Sequence, residues 1–184
     1  MSLGPDFFTR LRVRLAYPTA LAVFWFARPI PLVIILGALI GGIGLCIRAS
    51  AAGYLRKQET LAIAGPYAYT RNPLYLGSGV LMAGLALAAN SWISAVLSVG
   101  YFTVFYVAVM RREEEELRKR FGSVFEEYAC AVPIFFPSLT PSPTSAESGT
   151  FSWIQYRKNR EYRAAAGFLF ILGLLVMIWA YRLA

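Results

Sequence analysis

The sequence predicts an all-α, polytopic membrane protein of about five transmembrane helices, two of them joined as a tight hairpin. Three observations carry that prediction. The chain is 58% hydrophobic over 184 residues and has no histidine, a composition that soluble domains rarely show. Residues 74 to 110 contain no charge at all. The basic residues stand beside the apolar runs, where membrane proteins keep them.

A spanning helix needs about 20 apolar residues, fewer where the bilayer thins. The first run, Leu15 to Ala27, is short and is stopped by Arg28 and Pro29, so it reads as a short span or an interfacial helix. Pro29 to Ile47 has the length, and Gly37, Gly41, Gly42 and Gly44 give it a small-residue face for close contact, within the chain or between copies. As one helix, Leu74 to Met110 would run about 55 Å at 1.5 Å per residue, well past a hydrocarbon core of roughly 30 Å. It must therefore fold back. The polar break near its middle is Asn90-Ser91, which suits a tight turn with Ser91 capping the returning helix. Ala164 to Tyr181 is a closing span with Trp179 and Tyr181 at interface depth.

With five crossings, Arg10, Arg12, Arg14 and the stretches Arg48 to Arg71, Arg111 to Arg120 and Arg157 to Arg163 share one face, leaving Arg28 and Arg182 on the other. The positive-inside rule makes the crowded face cytoplasmic and puts the N-terminus there. All ten acidic residues fall on that face too. The opening MSLGPDFFTRLRVRLAYPTA has scattered charges in place of an apolar core and cleavage site, and reads as mature protein.

The net charge of +8 suits anionic headgroups. No nucleic-acid motif accompanies it, so the bilayer and not nucleic acid is the expected partner. Cys46 and Cys130 form neither a disulfide framework nor a zinc spacing, and no metal site is expected. Without histidine the commonest metal ligand and the commonest general base are both absent. Residues 1–138 read as the functional unit and 139–150, LTPSPTSAESGT, as a flexible linker. Residues 151–184 read as an interfacial segment, with Phe151, Trp153 and Tyr156 among cations, followed by the C-terminal helix.

Two segments carry candidate chemistry. In GPYAYTRNPLYLG, residues 65–77, Gly65-Pro66 ends the preceding segment, Pro73 holds Asn72 extended, and helix resumes at Leu74, so Arg71 and Asn72 occupy a fixed elbow at the membrane surface. A topology anchor with an aromatic belt would also look like this. The second segment is RREEEELRKRFGSVFEEYACAVPIFFP, residues 111–137. A solvated cap with i,i+4 pairs such as Glu114–Arg118 and Glu116–Arg120 accounts for part of it. It accounts less well for four acids crowding one turn, or for the apolar Val132 to Pro137, too short to span; a surface-lying segment covering a pocket would explain both.

Taken together, GPYxxxRxPxY followed by EExxLxxxFGxxxxxYxxxVPxxxP resembles the isoprenylcysteine carboxyl methyltransferase and phospholipid methyltransferase family of integral membrane enzymes, over roughly residues 30–137. The resemblance implies a cytoplasmic segment that encloses S-adenosylmethionine. Gly65, Tyr67, Arg71, Pro73 and Tyr75 match the first motif, and Glu113, Glu114, Tyr128 and Pro133 the second. Arg71, Glu113 and Glu114 are the residues expected to carry the reaction. Asn72 stands where the family usually has histidine, and Ala64 where some members have another. Asparagine keeps a hydrogen-bonding, cofactor-positioning role and loses any acid or base role.

The implied activity is S-adenosylmethionine-dependent methyl transfer at the membrane–cytosol interface to a lipophilic or small acceptor bearing a carboxylate, thiol, amine or hydroxyl. A carboxylate or thiolate needs no general base, whereas an amine or hydroxyl needs a Glu or Tyr to take its proton. Two other readings compete: a sterol-type membrane reductase using NADPH, for which the chain lacks a glycine-rich phosphate loop, and a non-catalytic membrane scaffold.

Overall fold

The computed structural model describes residues 5–56, 60–143 and 149–183, with side chains from Arg14 onward. Residues 1–4, 57–59, 144–148 and 184 lie outside the described residues, which takes out the middle of the predicted linker and part of the 48–71 basic stretch. The described chain is all-helical: α1 (Pro5–Phe26), α2 (Pro31–Tyr54), a 3-10 turn (Gly65–Ala68), α3 (Pro73–Ala88), α4 (Trp92–Phe121), α5 (Ser123–Ala131), α6 (Trp153–Lys158) and α7 (Tyr162–Leu183).

Three of these, α2, α4 and α7, are long and apolar enough to cross a membrane, and α3 is apolar but only 16 residues long, about 24 Å at 1.5 Å per residue. The hairpin turns where the sequence predicts. Asn90 takes a left-handed φ of 49°, a conformation its short polar side chain tolerates, and Ser91 Oγ accepts from the Ser94 amide at 3.4 Å. Past Met110, α4 continues through the acidic cluster to Phe121 without a break, because Glu, Arg and Lys are themselves good helix formers.

Two compact units divide the chain. The first comprises Met1–Gly42, Val80–Val109 and Gly167–Ala184. Its helices meet through small residues: a Cβ on Gly37 would fall 2.4 Å from the Gly84 carbonyl oxygen, and one on Gly84 would fall 2.5 Å from the Gly41 amide nitrogen. That contact gives part of the glycine face of α2 an internal partner, α3. Ala27, Ala88, Ala89 and Leu175 form the core, with Phe24, Leu172 and Ile178 against it. Ser94 Oγ donates to the Val23 carbonyl at 2.9 Å. Leu32, Ile35 and Leu39 of α2, Val96 and Val99 of α4 and Leu169, Phe170 and Met177 of α7 are exposed; apolar surface of this extent belongs against lipid.

The second unit comprises Ile43–Gly79 and Met110–Ala166. Gly122, at φ 53°, separates α4 from α5. Phe125, Tyr128 and Val132 are buried together against Leu61, Ile63, Leu117 and Phe121. Residues from the C-terminal part of the chain close over the end of α2. The Phe151 ring packs on Gly53, the Ser152 amide donates to the Gly53 carbonyl at 3.1 Å, and Asn159 Nδ2 donates to the Ala52 and Leu55 carbonyls at 2.8 and 2.9 Å. These carbonyls would otherwise lack partners at a helix end.

Candidate functional site

All the residues singled out by the two motifs lie in the second unit. Gly65, at φ 59°, opens the 3-10 turn in the left-handed region, and a Cβ there would fall 2.5 Å from the Tyr54 ring. Both restrictions call for glycine. Tyr67 and Ala68 are buried behind it, and Pro73 is fully buried at the start of α3.

The elbow between them is held by the chain after α5. The Arg71 amide donates to the Pro133 carbonyl at 2.9 Å, the Ser138 amide to the Tyr69 carbonyl at 2.9 Å, and the Ser142 amide to the Ala68 carbonyl at 3.0 Å. Thr70 Oγ1 donates to the Phe135 carbonyl at 2.9 Å, and Asn72 Nδ2 donates to the Ile134 carbonyl at 3.0 Å. Residues 68–72 and 133–142 therefore run antiparallel as a strap, which takes in Pro133 to Pro137, while Val132 stays in the core beside Phe125 and Tyr128. Tyr128 adds a hydroxyl bond to the Tyr67 carbonyl at 2.7 Å.

On this frame Arg71 and the acids of α4 come together. Arg71 Nη1 stands 3.1 Å from Glu114 Oε1, and both side chains are 14% exposed. Their angles do not complete a hydrogen bond: Arg71 Nε and Glu114 Oε1 are both buried without a hydrogen-bond partner. The Tyr75 hydroxyl donates to Glu113 Oε1 at 2.5 Å. Glu114 thus turns to Arg71, while Arg118 pairs with Glu126; the i,i+4 reading of Glu114 with Arg118 gives way to a partner far along the chain. Burial raises the Tyr128 hydroxyl above its ordinary value of 10, Glu114 adding to the shift and Arg71 opposing it. Burial also raises Tyr67, with Tyr128, Glu113 and Glu161 adding to it. Both stay protonated near neutrality, and Tyr128 serves as a donor.

Arg71, Tyr75, Glu113, Glu114 and Tyr128 are gathered, then, with Gly65, Tyr67 and Pro73 in the elbow that carries Arg71. Asn72 is 8% exposed and Pro133 exposed; each reaches the elbow through the strap bonds. Sequence reasoning missed Arg48 and Glu161. Arg48 Nε and Nη2 lie 3.0 and 2.7 Å from Glu161 Oε2, while Nη1 donates to the Leu74 carbonyl at 3.3 Å and to Ser78 Oγ. The available signal was an arginine within an apolar helix, a position that calls for a named partner; counted as a topology charge, it had none. A cavity of about 170 Å³ beside the pair is lined by Leu45, Cys46, Ala49, Tyr156 and Ala165. Among the described residues no three His, Cys, Asp or Glu side chains are grouped to hold a metal ion.

Comparison with known proteins adds the following. The model of the phospholipid methyltransferase family matches residues 33–124. The chain is similar to the cobalt-zinc-cadmium resistance protein CzcN of Cupriavidus metallidurans, 33% identical over 156 residues, which cover 83% of this chain and 68% of that protein. It is also similar to the nickel-cobalt-cadmium resistance protein NccN of Alcaligenes xylosoxydans xylosoxydans, 34% identical over 119 residues, 63% of this chain and 54% of that protein. No solved structure matches.

Proposed function

From the membership of this chain in the phospholipid methyltransferase family, we propose that it is an S-adenosylmethionine-dependent methyltransferase working at the cytoplasmic lip of the bilayer on a lipophilic or small acceptor. The observation that carries this reading is the buried Arg71–Glu114 ion pair, in which Arg71 Nε and Glu114 Oε1 complete no hydrogen bond within the protein. Unsatisfied buried groups of opposite character are costly unless a ligand completes them. A cofactor with a carboxylate and an ammonium on one tail and hydroxyls on its ribose fits that need.

In this reading Arg71 takes the carboxylate through its planar fork, and Glu114 takes the ammonium or a ribose hydroxyl. Bound there, S-adenosylmethionine supplies an electrophilic methyl group on a sulfonium. The strap, the Tyr128 hydroxyl and buried Pro73 fix the elbow, so the chain contributes position and a drier surrounding in place of acid–base power. Tyr67 and Tyr128 keep their protons, which leaves Glu113, exposed and held by Tyr75, to accept a proton if the acceptor is an amine or hydroxyl. A carboxylate or thiolate acceptor needs no such step. The exposed apolar faces of α2, α4 and α7 support delivery of a lipophilic acceptor from the bilayer, and the basic stretches support a cytoplasmic site. The resistance names of the two relatives suggest the setting, a membrane enzyme whose product serves cells under metal stress.

The test is incubation of the purified protein with methyl-labelled S-adenosylmethionine and a lipid extract, alongside calorimetric titration of the cofactor. Cofactor binding with label in one lipid or thiol fraction is expected. Absence of both would refute the reading.

A further inference from the structure

Glu161 lies outside the stretch that matches the family model, at the head of α7, yet its carboxylate is 12% exposed and engaged by a guanidinium that is 20% exposed. The far side of that guanidinium reaches the first turns of α3, at the Leu74 carbonyl and Ser78 Oγ. Gly77 makes room for it: a Cβ there would fall 2.7 Å from Arg48 Cγ and 2.7 Å from the Gly44 carbonyl oxygen. Arg48 is therefore wedged between Glu161, the residue just before α7, and the first turns of α3, which also carry Tyr75, the donor to Glu113.

We propose that Glu161 is a positioning residue, which orients Arg48 and through it fixes the start of α3, so that the C-terminal helix completes the Arg71–Tyr75 wall of the cofactor site. Two donors of Arg48 converge on one oxygen of Glu161. That contact leaves Nη1 to hold Leu74 and Ser78, and a planar fork is the group that can do both at once. Burial raises the Tyr67 hydroxyl, Tyr128, Glu113 and Glu161 add to the shift and Arg48 opposes it, so the clamp and the acid of the site act on one buried group. The cofactor part of this inference rests on the function proposed above; the clamp itself does not.

The experiment compares wild type, Glu161→Gln, Arg48→Lys and Asn159→Ala in detergent by hydrogen–deuterium exchange across residues 70–79 and by calorimetric titration of S-adenosylmethionine. Asn159→Ala cuts the neighbouring tie to α2 without touching Arg48, and so reports what mere loosening of the C-terminal segment does. Glu161→Gln and Arg48→Lys are expected to speed exchange at 71–79 and to raise the cofactor Kd about tenfold or more, while Asn159→Ala leaves both at wild-type values. Exchange and Kd unchanged in Glu161→Gln, or altered equally in Asn159→Ala, would overturn the proposal. If wild type binds no cofactor, the functional reading falls, and the exchange comparison alone decides the clamp.

Discussion

Arg71→Lys is the sharpest test of the site because it keeps the charge and removes only the fork. The guanidinium lies 3.1 Å from Glu114 Oε1 with both side chains 14% exposed, so a lysine ammonium still reaches the acid. What it lacks is a counterpart of the buried Nε, which has no partner within the protein. A hydrogen bond to a charged group is worth about 1.5–3 kcal/mol, which converts to a rise in cofactor Kd of about 10- to 150-fold. Calorimetry of the purified variant with S-adenosylmethionine and with S-adenosylhomocysteine measures it, and the thermal midpoint serves as control for folding. A Kd within about twofold of wild type, less than roughly 0.5 kcal/mol, would refute the assignment and leave Arg71 a surface anchor.

Glu114→Gln is expected to weaken cofactor binding in the same titration, with a smaller effect from Tyr75→Phe, which removes the hydroxyl bond to the exposed Glu113. Tyr128→Phe strips the buried Tyr67 carbonyl of its donor and is expected to cost about 1–3 kcal/mol in thermal or denaturant unfolding. The two buried tyrosines also set an alkaline limit. Their folded-state values lie above the ordinary 10, so the folded chain holds protons that the unfolded chain releases. Stability from this source is flat below pH 10 and falls above it, by up to about 1.4 kcal/mol per pH unit for each tyrosine; thermal midpoints between pH 8 and 11 should show the fall, and Tyr128→Phe should make it shallower. Gly84→Val drives a side chain into the α2 backbone and is expected to cost about 3 kcal/mol, seen as loss of the monodisperse peak on size exclusion.

The hairpin was legible because a bilayer limits helix length and Asn90-Ser91 was the polar break that could satisfy the limit. The meeting of Arg71 with Glu114 was legible through two motifs of known order, whose spacing carries information that neither segment has alone. The extent of α4 was harder to read: Met110 and Glu113 differ in solvent preference but little in helix propensity, so hydropathy marks the membrane edge and misses the helix end. The Arg48–Glu161 clamp left half a trace: an arginine inside an apolar helix calls for a partner, but Glu161 looks like an ordinary charge before a span and only packing makes it that partner. The strap likewise depends on backbone bonds from Ala68, Tyr69 and Arg71 to a segment some 60 residues later, which no side-chain pattern announces.

The separation of Arg48 from its partner by 113 positions also sets an order of assembly on the ribosome. At synthesis rates of about 5–20 residues per second, the arginine waits roughly 6–23 s for the glutamate to be made. Throughout that interval the nascent chain carries a cation in an apolar helix without the glutamate that pairs with it in the fold. A chain ending before residue 161 would therefore keep Arg48 in its apolar helix without that partner.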